Sequence, residues 1–257
     1  MDPVLWSIKY QPKTWDEFFG QEEAIRQLQN YISSTTIPHF IFIGPSGTGK
    51  TLAANLFAKE ILRDAYATNF KSLNIRDIRS YSISDAKRNM GALAKIDRSK
   101  RTEMDEYMSV VFREAKAARK AKGVSRDPNR SQLLHQAIHL FASTITISDD
   151  LVKLLVLDES EALDSNMLNA LRRTMEIYSQ TCRFILVTSS VAGWNPAIAS
   201  RSIVIKFPSL KDEDIAGYLT KISEAENVAI DSLGMNSIIR ESGGDMRRAV
   251  DLLQICA

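Results

Sequence analysis

The sequence predicts an α/β fold, a parallel sheet covered by helices on both faces and followed by a small all-helical unit. Three observations carry that prediction. Short apolar runs alternate with stretches of helical periodicity. The runs HFIFI (39–43), LVKLLVLDE (151–159) and CRFILVTSS (182–190) are apolar at odd and even positions alike, so both faces of each strand are buried. After Pro208 such runs stop, and only helix-patterned segments follow.

Taken in order, residues 1–20 are mixed, with Pro3, Pro12, Trp15, Phe18 and Phe19. Gln21 to Ser33 places Ala24, Ile25, Leu28 and Ile32 on one side of a helix, which Pro38 keeps apart from the first strand. Residues 51–62 form a second helix. Ser84 is an N-cap for a helix running through SISDAKRNMGALAKI, DEYMSVVFREAKAARKAKG is a longer helix stopped by Gly123, and LLHQAIHLFA is a short one. The strand 151–159 leads to a helix beginning near Asp164 or Ser165, then to 182–190 and the shorter strand SIVIKF (202–207). Ser209 caps a helix with acids in its first turn, and helices at 231–241 and 245–256 flank Gly243 and Gly244. The expected division is a sheet domain over 1–208, with a basic helical insertion at about 84–140, and a helical lid over 209–257.

With 257 residues the chain is long enough for one large core and a small satellite. A hydrophobic share of 44% against 25% charged places it among ordinary globular proteins, and no run approaches the roughly 20 apolar residues of a bilayer span. No membrane partner is expected. Cys182 and Cys256 are too few and too far apart for a disulfide framework and fit a reducing compartment. The net charge of +2 conceals a basic block: 87–130 holds 13 Lys and Arg against 6 Asp and Glu, which suits a polyanionic partner. His135 and His139 are spaced i, i+4 but have no cysteine or acid at ligand spacing.

The chemistry is concentrated in two motifs. GPSGTGKT, comprising Gly44, Pro45, Ser46, Gly47, Thr48, Gly49, Lys50 and Thr51, matches the phosphate-binding pattern G-x-x-x-x-G-K-[ST] between a strand and a helix. Glycines let successive N–H groups turn inward on phosphate oxygens, and the following helix adds the positive end of its dipole. Lys50 reaches the terminal phosphates, and the Thr51 hydroxyl ligates Mg²⁺. About a hundred residues later, a strand ends in Asp158, placed to hold Mg²⁺ through water, and Glu159, placed to polarise an attacking water. ATP and Mg²⁺ are the expected cofactors, and ATP hydrolysis is the expected reaction.

LDESEALDSNMLNALRRTMEIYSQTCRFIL, WSIKYQPKTWDEFFGQEEAIRQL, IPHFIFIGPSGTGKT and ESGGDMRRAVDLLQ together resemble the small subunits of replication factor C, the AAA+ clamp loaders of archaea and eukaryotes. The resemblance implies ATP-dependent loading of a sliding clamp onto primed DNA, with other clamp-loader subunits, the clamp and primer–template DNA as partners. It implies a cytoplasmic protein in an archaeon or a nuclear one in a eukaryote. It also assigns roles. Arg201 matches an arginine finger that acts on a neighbouring subunit's γ-phosphate, and Arg247 a lid arginine that touches ATP in the same chain. Ser189 or Thr188 matches the polar sensor, and Val4 to Pro12, including Tyr10, matches the adenine pocket. The Arg172 and Arg173 pair is read as an additional cross-subunit contact, with ordinary exposed charge as the alternative.

This chain departs from the family pattern in having Glu161 for a second Asp, Ser189 for Asn and Ser202 for Cys. The family also continues into a helical collar beyond the point where this sequence ends. A weakly hydrolysing scaffold subunit, or another AAA+ DNA-remodelling ATPase, is the alternative reading. For DNA, the resemblance favours Lys87 and Arg88. Lys116, Arg119 and Lys120 share a helix face by i, i+3, i+4 spacing.

Overall fold

The computed structural model describes residues 4–34, 36–84, 87, 102–144, 152–192, 194 and 196–257. Five parallel strands form one sheet: β1 (His39–Ile43), β2 (Phe70–Asn74), β3 (Lys153–Asp158), β4 (Cys182–Thr188) and β5 (Ser202–Lys206), in the order β2-β3-β4-β1-β5. Among the described residues the helices longer than four residues are α1 (Glu22–Ile32), α2 (Lys50–Leu62), α3 (Ile75–Ser80), α4 (Glu103–Ala121), α5 (Arg130–Ser143), α6 (Ser165–Ile177), α7 (Asp212–Glu226), α8 (Ser232–Ser242) and α9 (Met246–Cys256).

Period-two alternation divides the strands between two cores. Phe40, Phe42, Leu154, Val156, Ile185 and Val187 pack with α1 and α2 on one face. Ile41, Leu73, Leu155, Leu157, Phe184 and Leu186 pack with α3, α4, α5 and α6 on the other. A third cluster, built on Ile215, Leu219, Ile222, Ala249, Val250 and Leu253, joins α7, α8 and α9 and takes in Trp6, Tyr10 and Phe19 from the N-terminal segment. The fold is therefore a helix-covered parallel sheet with a C-terminal helical region.

Local chemistry explains most boundaries. Asp164, Asp231 and Asp245 each cap a helix by accepting a backbone N–H, and Asn129 and Gln132 form a reciprocal capping box at the start of α5. The last helical region begins later than its sequence suggests: α7 starts at Asp212 with Lys211 as the flanking residue, and Ser209 plays no capping part. The helix expected from Ser84 lies largely outside the described residues. β2 was not foreseen, because FKSLN is only half-buried at most positions and carries Lys71 and Ser72.

The region between β2 and β3 is more than an appendage. In its described part, α4 and α5 pack on each other, and Met108, Val111, Phe112, Leu133, Leu134, Ala137 and Ile138 belong to the same core as the sheet. Lys153, buried at the start of β3, extends its ammonium to the carbonyls of Phe141, Ala142 and Thr144 and so closes the C-terminal end of α5.

Candidate nucleotide site

The carboxyl ends of the strands converge on a cleft of 540 Å³, the edge where open α/β sheets bind ligands. Register brings its parts together: Ile43 lies beside Thr188, and Asn74 beside Asp158. The loop after β1 supplies Ser46 to Thr51, and the ends of β3 and β4 supply Asp158, Glu159, Thr188 and Ser189.

The loop has the backbone that phosphate binding requires. Gly47 and Gly49 have φ of 68° and 89°, a region that side chains other than glycine rarely enter. Neither has room for a Cβ, because a methyl at Gly47 would overlap the Asp245 carboxylate and one at Gly49 the Phe18 ring. Lys50 is buried and donates to the carbonyls of Gly44 and Pro45 at 2.8 and 2.5 Å. Burial pushes its pKa down, opposed by the charges of Asp158, Glu161 and Asp245.

Thr51 Oγ1 donates to Asp158 Oδ2 at 2.8 Å. The two oxygens expected to serve Mg²⁺ are therefore adjacent, and they are hard donors of the kind Mg²⁺ takes. Among the described residues no cluster of three His, Cys, Asp or Glu exists that would cage a metal.

Glu159 stands in the left-handed region with φ 53° and lines the cleft. Its carboxylate meets Arg76 Nε at 3.0 Å, and the same guanidinium reaches Glu161 at 3.4 Å. Glu161 in turn accepts from the Thr188 hydroxyl at 3.0 Å and the Ser189 N–H at 3.2 Å. Burial would raise the Glu161 pKa, but bonds from backbone N–H groups and Thr188, with the charge of Arg76, outweigh it and hold the carboxyl below its usual range. Arg76 and the bracing role of Glu161 were not found by sequence reasoning. Arg76 follows a strand whose mixed composition hid it, so its place at the edge of the cleft could not be counted.

Arg247, in the first turn of α9, also lines the cleft. Ser7, Gln11 and Pro12 bring the N-terminal segment to it, together with Phe18, Phe19, Leu210 and Tyr218. Val4 and Tyr10 do not line it. Val4 is exposed, and the Tyr10 hydroxyl donates to Glu226, which also binds Lys9. The segment reaches the cleft, but through other residues than these two.

Arg201 lies elsewhere. It precedes Ser202, whose register partner is His39 at the start of β1, so it sits at the opposite edge of the sheet from the phosphate loop. Arg201 and Arg172 share one carboxylate, Glu176 Oε1, at 2.9 and 3.0 Å.

Of the residues expected to meet DNA, Arg88 lies outside the described residues. Lys87 and Lys116 converge on Asp127 at 2.9 and 3.6 Å. Arg119 clasps the turn between α4 and α5 through Arg126 O and Gln132 Oε1, and Lys120 is exposed. His139 meets the Tyr178 hydroxyl at 3.0 Å and stacks with His135. No helix of the described residues is long and apolar enough to cross a membrane.

A family model described as AAA domain matches residues 35–190. Replication factor C small subunits are similar along nearly the whole chain. That of Methanococcus vannielii is 34% identical over 97% of this chain and 63% of its own length. That of Archaeoglobus fulgidus is 32% identical with the same coverage. The chain thus spans under two thirds of these relatives. Among solved structures, the Thermotoga maritima RuvB Holliday junction branch migration motor superposes with a TM-score of 0.58 at 16% identity, covering 95% of this chain and 64% of RuvB. That likeness speaks for the fold alone. The family match spans more than half of the sequence, includes the phosphate loop and reaches past the acids of β3, and the chain accordingly belongs to the AAA domain family, a nucleotide-binding fold.

Proposed function

We propose that this chain is the ATPase module of a clamp-loader small subunit, binding ATP with Mg²⁺ and coupling its hydrolysis to placing a sliding clamp on primed DNA. The observation that carries the reading is the meeting of Thr51 with Asp158 beneath the phosphate loop, with Glu159 next in line, in a chain whose similar proteins are named replication factor C small subunit. In this reading the amides of residues 46–51 and Lys50 hold the phosphates, and Thr51 and Asp158 hold the ion. Mg²⁺ neutralises charge that builds on the phosphate oxygens. Glu159 orients the attacking water, Thr188 and Ser189 flank it through Glu161, and Arg247 meets the nucleotide from the lid. Arg201 faces away from this site and serves a neighbouring subunit. Lys87, Lys116 and Lys120, with Arg88 and Arg119, offer charge to the DNA backbone.

A second reading draws on the Arg76 ion pair, which holds the carboxylate needed for water activation. A subunit in that state binds ATP and turns it over slowly, acting as a scaffold. Steady-state ATP hydrolysis separates the two, measured for the chain alone, with primed DNA, and with primed DNA and clamp. Stimulation by DNA and again by clamp, abolished by Lys50→Ala, is the expected result for the loader. Tight ATP binding without turnover in all three conditions selects the scaffold. Stimulation by DNA that ignores the clamp selects another DNA-remodelling ATPase.

A further inference from the structure

The lining of the cleft is chemically of two kinds. One is made of the phosphate loop, Lys50 and Asp158. The other is Phe18, Phe19, Leu52, Leu210 and Tyr218, apolar and aromatic surface suited to a base, with the Phe18 ring against Gly49 of the loop. Helix α2 brings Leu52 to the cleft. Asn55 lies on the cleft side of that helix, one turn beyond Thr51 and about 6 Å further along the axis.

Asn55 is anomalous where it stands. Its amide oxygen is buried and has no hydrogen-bond donor among the described residues. The same is true of Gln21 Oε1 and Asp251 Oδ1, but neither of those residues lines the cleft. An unpaired buried acceptor is costly, and native proteins carry few of them. A leucine would fill the same position beside Leu52 without that cost. The terminal torsion of an asparagine amide is broad and roughly two-fold, so oxygen and nitrogen can exchange places at little expense. What the amide oxygen lacks is a donor, and a partner offering one donor with an acceptor beside it would engage both ends of the amide.

We infer that Asn55 selects the base of the bound nucleotide, accepting from the exocyclic amine and donating to N7 of adenine. An asparagine amide matches that pair of atoms, whereas a 6-oxo purine presents two acceptors there and leaves the amide oxygen facing another oxygen. A site built to hydrogen-bond its ligand rejects the analogue that lacks the partner more strongly than an apolar pocket does. Asn55 is therefore a specificity residue that touches the base and takes no part in phosphate chemistry. The inference rests on the nucleotide-binding reading of the cleft.

The test measures equilibrium binding of ATP, 7-deaza-ATP and inosine triphosphate, each with Mg²⁺, to the full chain, to Asn55→Leu and to Lys50→Ala. The native chain is expected to bind ATP about tenfold more tightly than either analogue, the worth of one hydrogen bond. In Asn55→Leu, ATP affinity falls to that of the analogues and the three nucleotides converge. A purely structural asparagine would alter the urea midpoint and leave the ratios unchanged, and unchanged ratios overturn the inference. So does a native chain that binds all three alike, a result that needs no variant. If the native chain binds none of the three, or if Lys50→Ala binds as well as the native chain, the nucleotide reading itself fails and the inference falls with it.

Discussion

Glu159 is held by Arg76 at 3.0 Å, but both side chains are substantially exposed, at 40% and 63%. An exposed ion pair is worth at most about 1 kcal/mol. Arg76→Ala is therefore expected to raise basal ATP turnover, by no more than about fivefold, since 1.4 kcal/mol is tenfold. A fall in turnover would show that the guanidinium assists the phosphates instead. His39 is a second residue with a sharp expectation. Its Nδ1 accepts the Phe184 N–H at 3.1 Å, and burial, aided by the charge of Arg183, pushes its pKa down to about 4. The unfolded chain takes up this proton near pH 6.5, the folded one only near 4. The stability is complete above about pH 6.5 and is lost as the pH falls toward 4, by up to about 3 kcal/mol. Urea unfolding at pH 7 and pH 4.5 should show that loss. His39→Asn, which keeps an acceptor for Phe184 and cannot titrate, should remove the part of it due to this group. Neither residue was legible in advance. Arg76 and His39 acquire their meaning from neighbours on other strands, and one sequence does not reveal which strands adjoin.

At the scale of elements, legibility followed the run of apolar residues more than burial itself: SIVIKF was recognised although β5 is largely exposed. β1, β3 and β4 are apolar on both faces and were recognised as strands, with helices α2 and α6 beside them. β2 is an edge strand with Lys71 and Ser72 on it, and its polarity concealed it. The phosphate loop was legible because its motif is local: glycines and lysine act within eight consecutive residues. Val4 and Tyr10 were misplaced because contact with the cleft depends on how a short helical turn sits on α9, where the Trp6 N–H donates to Gln254. The capping box of α5 yields a prediction at this scale. Asn129→Ala removes the acceptor for the Gln132 N–H and is expected to cost about 1 kcal/mol, read from the urea midpoint at unchanged slope. Because α5 shares the sheet's core, that loss should appear in global unfolding and not as local fraying.

For the whole molecule, the decisive relation is between opposite edges of the sheet. The phosphate loop leaves the carboxyl end of β1, while Arg201 enters β5 beside the amino end of β1. A guanidinium a strand's length from the phosphate loop is out of reach of a nucleotide held there, and on the proposed reading it acts on another subunit. Arg201→Ala is expected to leave ATP affinity of the isolated chain unchanged and to slow hydrolysis in the assembled complex by about a thousandfold, in line with arginines supplied in trans. Equal rates in the assembly would remove Arg201 from the reaction.

The contact between the last helix and the phosphate loop has a further consequence. The Met246 N–H meets Gly47 O at 3.3 Å, and the Asp245 carboxylate occupies the space where a Gly47 side chain would stand. The three C-terminal helices thus bear directly on the loop. They touch it through the Met246 peptide N–H and the Asp245 carboxylate. On the proposed reading, a load on the outer surface of those helices, where Leu233 and Ile255 are exposed, bears on Gly47 and so on the loop's grip on the phosphates. In mechanical terms the C-terminal region is a lever whose short arm ends on Gly47.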